Sequence, residues 1–184
     1  MVQKEYDQNK RLEFQTTDKF AVLGVSGRGK TTLMEECALT LKEEGKPFIF
    51  VAAKGDYCMH NHKDFKKRLS QTNLDFNDKV VSNSTPEAMF FGLDVSASSE
   101  QTHFDIETIK KSINSGSFLF FDESEKLLWD IPELNQLLDE LIESDNCGFA
   151  ISRQQSTERG LKDIHGILKK VDFWVEASFQ PKQK

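Results

Sequence analysis

Residues 20–33, Phe20-Ala21-Val22-Leu23-Gly24-Val25-Ser26-Gly27-Arg28-Gly29-Lys30-Thr31-Thr32-Leu33, decide the fold. A short apolar run ends in glycines, as a strand buried in a parallel sheet does. A helical pattern follows over residues 31–44, with Leu33, Met34, Cys37, Ala38 and Leu41 on one face. Gly45 suits the C-terminal cap, and Pro47 comes shortly after. Between strand and helix, residues 24–31 fit GxxxxGK[ST] at every position. Glycines let successive backbone N–H groups face phosphate oxygens, and the helix adds its positive N-terminal end. Gly24, Ser26, Gly27, Arg28, Gly29, Lys30, Thr31 and Thr32 are therefore the phosphate-cradling candidates. Lys30 is placed to reach the β- and γ-phosphates, and the Thr31 hydroxyl to ligate Mg²⁺. A dinucleotide fingerprint fails on spacing, because residue 32 is Thr32 where a third glycine is needed.

Outward from this stretch, short apolar runs alternate with helical patterns. Phe48–Ala52, Phe118–Phe121, Gly148–Ile151 and Val171–Val175 read as further buried strands, with a short one at Val80-Val81. Helices are predicted over 63–70, from Thr85-Pro86 onward, over about 105–114, from Pro132 to Glu143, and over 161–169. Residues 94–103 form the most loop-like stretch, a pore loop or a plain mobile segment. The alternation predicts an α/β fold of three layers with a mostly parallel sheet. Residues 1–18 are polar and read as an arm or edge element, leaving 19–184 as one domain. Ligands of such sheets bind at the C-terminal ends of the strands.

One such end is Phe118-Leu119-Phe120-Phe121-Asp122-Glu123. Asp122 can hold the hydration shell of Mg²⁺ beside Thr31. Glu123 can take a proton from water attacking a γ-phosphate. The plain alternative is a solvated acidic helix start, Asp122-Glu123-Ser124-Glu125. A kinase needs no base for water, so the pair favours hydrolysis over transfer to a small molecule. Another end is Ile151-Ser152-Arg153-Gln154-Gln155. Ser152, Gln154 and Gln155 are candidates for sensing the γ-phosphate or positioning water. Arg153 and Arg159 are candidates for an arginine finger acting across a subunit interface.

Composition narrows the function classes. The chain has 184 residues, a net charge of −6 and 38% hydrophobic residues, with fifteen Phe to supply apolar area. A globally basic coat for nucleic acid is excluded, so any DNA contact is a local patch. No apolar run reaches membrane-spanning length, and the start lacks a signal-peptide stretch. Three scattered cysteines, Cys37, Cys58 and Cys147, favour reduced thiols in a cytoplasmic setting.

Together the glycine loop, Lys54-Gly55-Asp56-Tyr57 after the second strand, Asp122-Glu123 and Ile151-Ser152-Arg153-Gln154 resemble the FtsK/HerA-type P-loop ATPases. The resemblance spans residues 19–178 and departs at Ala52, where the family's segment carries an acid. It implies the P-loop NTPase fold of the additional-strand, catalytic-glutamate division, with ATP and Mg²⁺ as ligands. Lys30, Glu123, Arg153 and Gln154 are then the catalytic candidates, and Thr31 and Asp122 the metal pair. A minimal chain of this kind looks most like viral genome-packaging ATPases. That implies self-association into a ring, a pentamer or hexamer, moving double-stranded DNA at a capsid or membrane vertex. Such a protein works in the host cytoplasm or on the virion. An assembly ATPase of the zonula-occludens-toxin type, or a nucleotide-dependent switch, is the alternative within the resemblance.

Weaker signals complete the reading. Cys58-Met59-His60-Asn61-His62 invites zinc, but its spacing matches no common zinc module, and a polar loop accounts for it. Lys63-Asp64-Phe65-Lys66-Lys67-Arg68 with Lys54 is the most basic stretch, either a DNA-phosphate contact or a solvated helix face. Trp129 and Trp174 read as packing groups.

Overall fold

Apolar runs without alternation become strands buried on both faces, and here they build one sheet. The computed structural model describes residues 2–6, 11–54, 62–70, 79–81, 88–94, 100–113, 116–154 and 166–177. In chain order the elements are β1 (Val2–Lys4), β2 (Lys19–Gly24), α1 (Lys30–Glu43), β3 (Phe48–Lys54), α2 (Lys63–Ser70), β4 (Lys79–Val81) and β5 (Ala88–Asp94). Then come α3 (Glu100–Ile113), β6 (Phe118–Asp122), α4 (Ser124–Asp130), α5 (Pro132–Glu143), β7 (Phe149–Gln154) and β8 (Phe173–Glu176). The strand order is β1-β8-β2-β7-β6-β3-β5-β4. Every pairing is parallel except β4 against β5, which is antiparallel.

Successive residues of the interior strands feed opposite cores. Phe20, Val22, Phe48, Phe50, Phe118 and Phe120 face a layer made by α1 and α2, with Leu12 and Phe14 packed at its rim. Leu23, Ile49, Val51, Leu119, Phe121 and Ile151 face the opposite layer, built on α3, α4 and α5. The fold is thus α/β, a mostly parallel sheet with helices on both faces. Phenylalanine carries much of it: Phe20, Phe48, Phe50, Phe91, Phe118, Phe120, Phe121 and Phe149 are fully buried. Each contributes roughly 1.5–3 kcal/mol of burial, which offsets the modest apolar content.

α5 spans the predicted residues, with Leu134, Leu137, Leu138 and Leu141 buried. α1 ends as expected, with Gly45 left-handed at φ 70° and its N–H donating to the Lys42 carbonyl. Lys42 Nζ donates to the carbonyls of Arg68 and Leu69 at 2.6 and 2.8 Å, tying the last turn of α2 to α1.

Three expectations are corrected. The helix expected after Thr85-Pro86 does not run through 88–94, which is the strand β5, paired with β3 along its length. Met89 and Phe91 enter one core and Ala88 and Phe90 the other, so the run is apolar on two faces, as an interior strand requires. Thr85 and Pro86 themselves lie outside the described residues. Residues 100–103 are helical rather than loop-like, because α3 starts at Glu100; residues 95–99 lie outside the description. Asp122-Glu123-Ser124-Glu125 is not a solvated helix start, since Asp122 and Ser124 are buried. The polar N-terminal segment supplies β1 as an edge strand on β8. Of the helix expected over 161–169, residues 166–168 are helical and 161–165 lie outside the description. Trp174 packs against the α3–α5 core as expected. No helix among the described residues is long and apolar enough to cross a membrane.

Candidate functional site

The site forms where β2, β6 and β7 end, because the sheet order brings these C-terminal ends together. The loop after β2 turns through Gly27 at φ 73° and Gly29 at φ 84°, left-handed values costly for a residue with a Cβ. Gly29 is the N-cap of α1, and no side chain caps that helix. Its first turn holds no acidic residue, so its positive end is uncompensated by its own side chains. Ser26, Arg28 and Thr32 are exposed around this turn. Lys30 Nζ donates to the Val25 carbonyl at 3.0 Å, inside the loop. Burial pushes the Lys30 ammonium below its ordinary range, and the carboxylates of Glu125, Asp122 and Glu123 act against that shift.

Asp122, 1% exposed, is the centre. A carboxylate that deep needs donors. Thr31 Oγ1 donates to its Oδ2 at 2.8 Å, and Ser152 Oγ donates to its Oδ1 at 2.6 Å. The Glu123 N–H in turn donates to Ser152 Oγ at 2.8 Å, and Ser124 Oγ donates to the Ser152 carbonyl at 2.6 Å. The Gln154 N–H donates to Glu125 Oε1. Adjacent β6 and β7 thus become one polar platform, with Gln154 in register beside Gly24. Glu123 sits on it half-buried, at φ 49° and ψ 44°. It and His62 are the two non-glycine residues with positive φ among the described residues. A left-handed glutamate is strained by about 1–2 kcal/mol, and such strain gathers where geometry serves a site.

The structure brings together Gly24, Gly27, Gly29, Lys30, Thr31, Asp122, Glu123 and Gln154. Arg153 is 4% exposed, so its guanidinium does not project to solvent as a group reaching into a neighbouring subunit must. Gln155 and Arg159 lie outside the described residues, as do Cys58 and His60. His62 is no part of a solvated polar loop. It is 2% exposed and lies among Phe50, Phe65 and Phe90, with ring centroids 5.2–6.5 Å away. Its Nδ1 lies 2.7 Å from Glu35 Oε1, and its Nε2 3.8 Å from Asp122 Oδ2. Glu35 escaped the sequence reading. One signal points to it: it lies four residues after Thr31, on the same face of α1. His62 immediately precedes α2, its carbonyl accepting from the Lys66 N–H, and no pattern in its own segment marks it as buried.

The donor set suits Mg²⁺. One hydroxyl and one carboxylate, already converged at 2.8 Å, are the sparse hard-oxygen ligands this ion takes when phosphates supply others. No protein-family model matches the chain, and no curated protein sequence matches it.

Proposed function

We propose that this chain is a Mg²⁺-dependent ATPase of the P-loop type, in the additional-strand, catalytic-glutamate division. The observation that carries the reading is the Thr31–Asp122 hydrogen bond, which joins two motifs 91 residues apart. The strand order supports the division, because β7 lies between the strand ending in the glycine loop and the strand ending in Asp122. The uncapped N-terminus of α1 behind left-handed glycines supports phosphate binding. Thr31 and Asp122 would hold Mg²⁺, which when bound neutralises phosphate charge.

This chain's residues then divide the work. Loop N–H groups and Lys30 bind and orient the phosphates. A phosphate would replace the Val25 carbonyl as partner of the ammonium and act against the downward shift that burial imposes on it. Glu123 accepts the proton of the attacking water. Its main chain is fixed by Ser152, so the base is aimed from a rigid sheet edge. Gln154, at the end of β7 beside the loop, is placed to orient that water or sense the γ-phosphate.

By resemblance, the work done is translocation of double-stranded DNA by a ring of subunits, with genome packaging as the setting. The test is release of inorganic phosphate from ATP and Mg²⁺, with and without double-stranded DNA, for wild type and Glu123→Gln. DNA-stimulated release lost in Glu123→Gln is the expected result. Release indifferent to DNA overturns the translocase reading and favours an assembly ATPase. Phosphate appearing on an acceptor overturns hydrolysis.

A further inference from the structure

We propose that the outward face of α2 is a docking surface for the phosphate backbone of double-stranded DNA, with Lys63 and Lys67 at its centre and Lys66 on its flank. The inference rests on the translocase part of the reading above and says where the duplex is held. α2 carries four cations, Lys63, Lys66, Lys67 and Arg68, against one acid, Asp64, in a chain whose net charge is −6. Helix geometry sorts them. Phe65 and Leu69 are buried against the sheet. Lys63 and Lys67, both exposed, lie on the opposite side, about 6 Å apart along the axis. Lys66 Nζ lies over the Phe90 ring, 5.4 Å from its centroid. Arg68 turns toward α1, where Glu36 already answers its charge at 3.0 Å.

A solvated helix face does not explain this arrangement. Lys63 is the first residue of α2, where the helix dipole disfavours a cation. Lys63 and Lys67 form a like-charged i, i+4 pair, which opposes helix formation. Lys42, which binds the last carbonyls of α2, is pushed below its ordinary range by burial and by the Arg68 guanidinium. Positive charge is gathered here against local preference, and a rigid polyanion is the partner that relieves it.

The chemistry of the face selects among polyanions. Its one aromatic residue, Phe65, is buried, so no ring is offered for stacking on the bases of a single strand. Among the described residues the exposed large hydrophobics are Val2 and Val25, neither on α2, so a bilayer gains no apolar anchor there. The same lack denies a protein partner the apolar centre of an interface. Lysines hold phosphates as point charges and read no bases, so the contact is independent of sequence. α2 is also tied to α1 at both ends, through His62 to Glu35 at 2.7 Å and through Lys42 to the Arg68 and Leu69 carbonyls. A load on α2 is therefore borne by the helix that begins at Lys30.

The test is fluorescence anisotropy of a labelled DNA duplex titrated with the full chain over a series of KCl concentrations. Lys63→Gln/Lys67→Gln is expected to weaken binding at low salt and to lower the slope of log K against log[KCl] by about 1.8, at about 0.9 per phosphate contact. Lys63→Arg/Lys67→Arg keeps both charges and is expected to bind as wild type does. Lys169→Gln/Lys170→Gln removes the same charge from another exposed site and is expected to leave the slope unchanged. A wild-type slope in the α2 glutamine variant overturns the proposal and leaves the translocase reading standing. An equal loss in the Lys169/Lys170 variant also overturns it, because net charge alone then sets affinity. A wild-type chain that binds no duplex at low salt overturns the proposal and the translocase reading together, while binding of a fluorescent ATP analogue reports separately on the nucleotide site. Capture by phosphatidylserine vesicles but not by duplex assigns the face to a lipid surface and overturns the proposal as well.

Discussion

Replacing Glu123 by glycine and by alanine separates two roles of one residue. Both substitutions remove the carboxylate and every atom beyond Cβ, so lost side-chain interactions largely cancel between them. What differs is the Cβ on a backbone at φ 49° and ψ 44°. That Cβ costs about 1–2 kcal/mol in the left-handed region. Glycine escapes it but gives back about 0.4–1 kcal/mol through the freer unfolded chain. At the middle of each range the net is about 0.8 kcal/mol in favour of glycine, within a span of about 0–1.6 kcal/mol. At about 2–4 °C per kcal/mol for a chain of this size, Glu123→Gly melts about 1–4 °C above Glu123→Ala. Scanning calorimetry without nucleotide reads the difference. Phosphate release falls about 10²–10⁴-fold in both, the usual worth of a general base. An alanine variant more stable than the glycine variant refutes the strained geometry. A glycine variant that still hydrolyses ATP refutes the role of the carboxylate.

Ser152→Ala removes a hydroxyl that serves Asp122 and the Glu123 N–H at once; a loss of about 2 kcal/mol is expected by chemical denaturation, with weaker Mg²⁺ binding. Gly148→Ala places a Cβ 2.4 Å from the Asp18 carbonyl and 2.6 Å from the Thr16 carbonyl, both main chain, so a drop of about 3 kcal/mol or failure to fold is expected. Burial, with Glu36 adding to it, pushes the Cys37 thiol up to about 12 from 9.0. The unfolded thiol ionises first, so stability falls between those pH values at about 1.4 kcal/mol per pH unit, and Cys37→Ala removes that slope from alkaline denaturation curves. Lys30→Ala is expected to abolish binding of a fluorescent ATP analogue, with the fold intact by circular dichroism.

The legible parts of the fold were those in which one local pattern and the tertiary fold agree. β2, the glycine loop and α1 form a continuous unit, and α5 has a proline start and one apolar face. β5 was not legible because Thr85-Pro86 is a strong local helix signal, while pairing of 88–94 with β3 is a long-range fact. The site divides in the same way. Thr31 and Asp122 are identified by motif chemistry, and the hydrogen bond between them follows from strand order. Ser152, read as a candidate for sensing the γ-phosphate or positioning water, instead donates to Asp122 and accepts from the Glu123 N–H, contacts that its own segment does not announce. Glu35 and His62 were hidden because each is ordinary in its own segment. They meet only after β3 crosses and the chain returns to α2 against α1.

The strand that leads into the glycine loop has both its neighbours, β7 and β8, near the far end of the described chain. A ribosome that has delivered residues up to Ile142 has made the loop and the acidic pair but neither flanking strand. β6, β3, β5 and β4 can assemble by then, with the β6 edge still open. At about 5–20 residues per second, residues 149–176 arrive over about 1–6 s. Throughout that interval the nascent chain carries a bare hydrophobic sheet edge and no completed pocket. A prematurely terminated product is therefore a candidate for aggregation and chaperone capture, and under the proposed function bound nucleotide would stabilise only chains that reach β8.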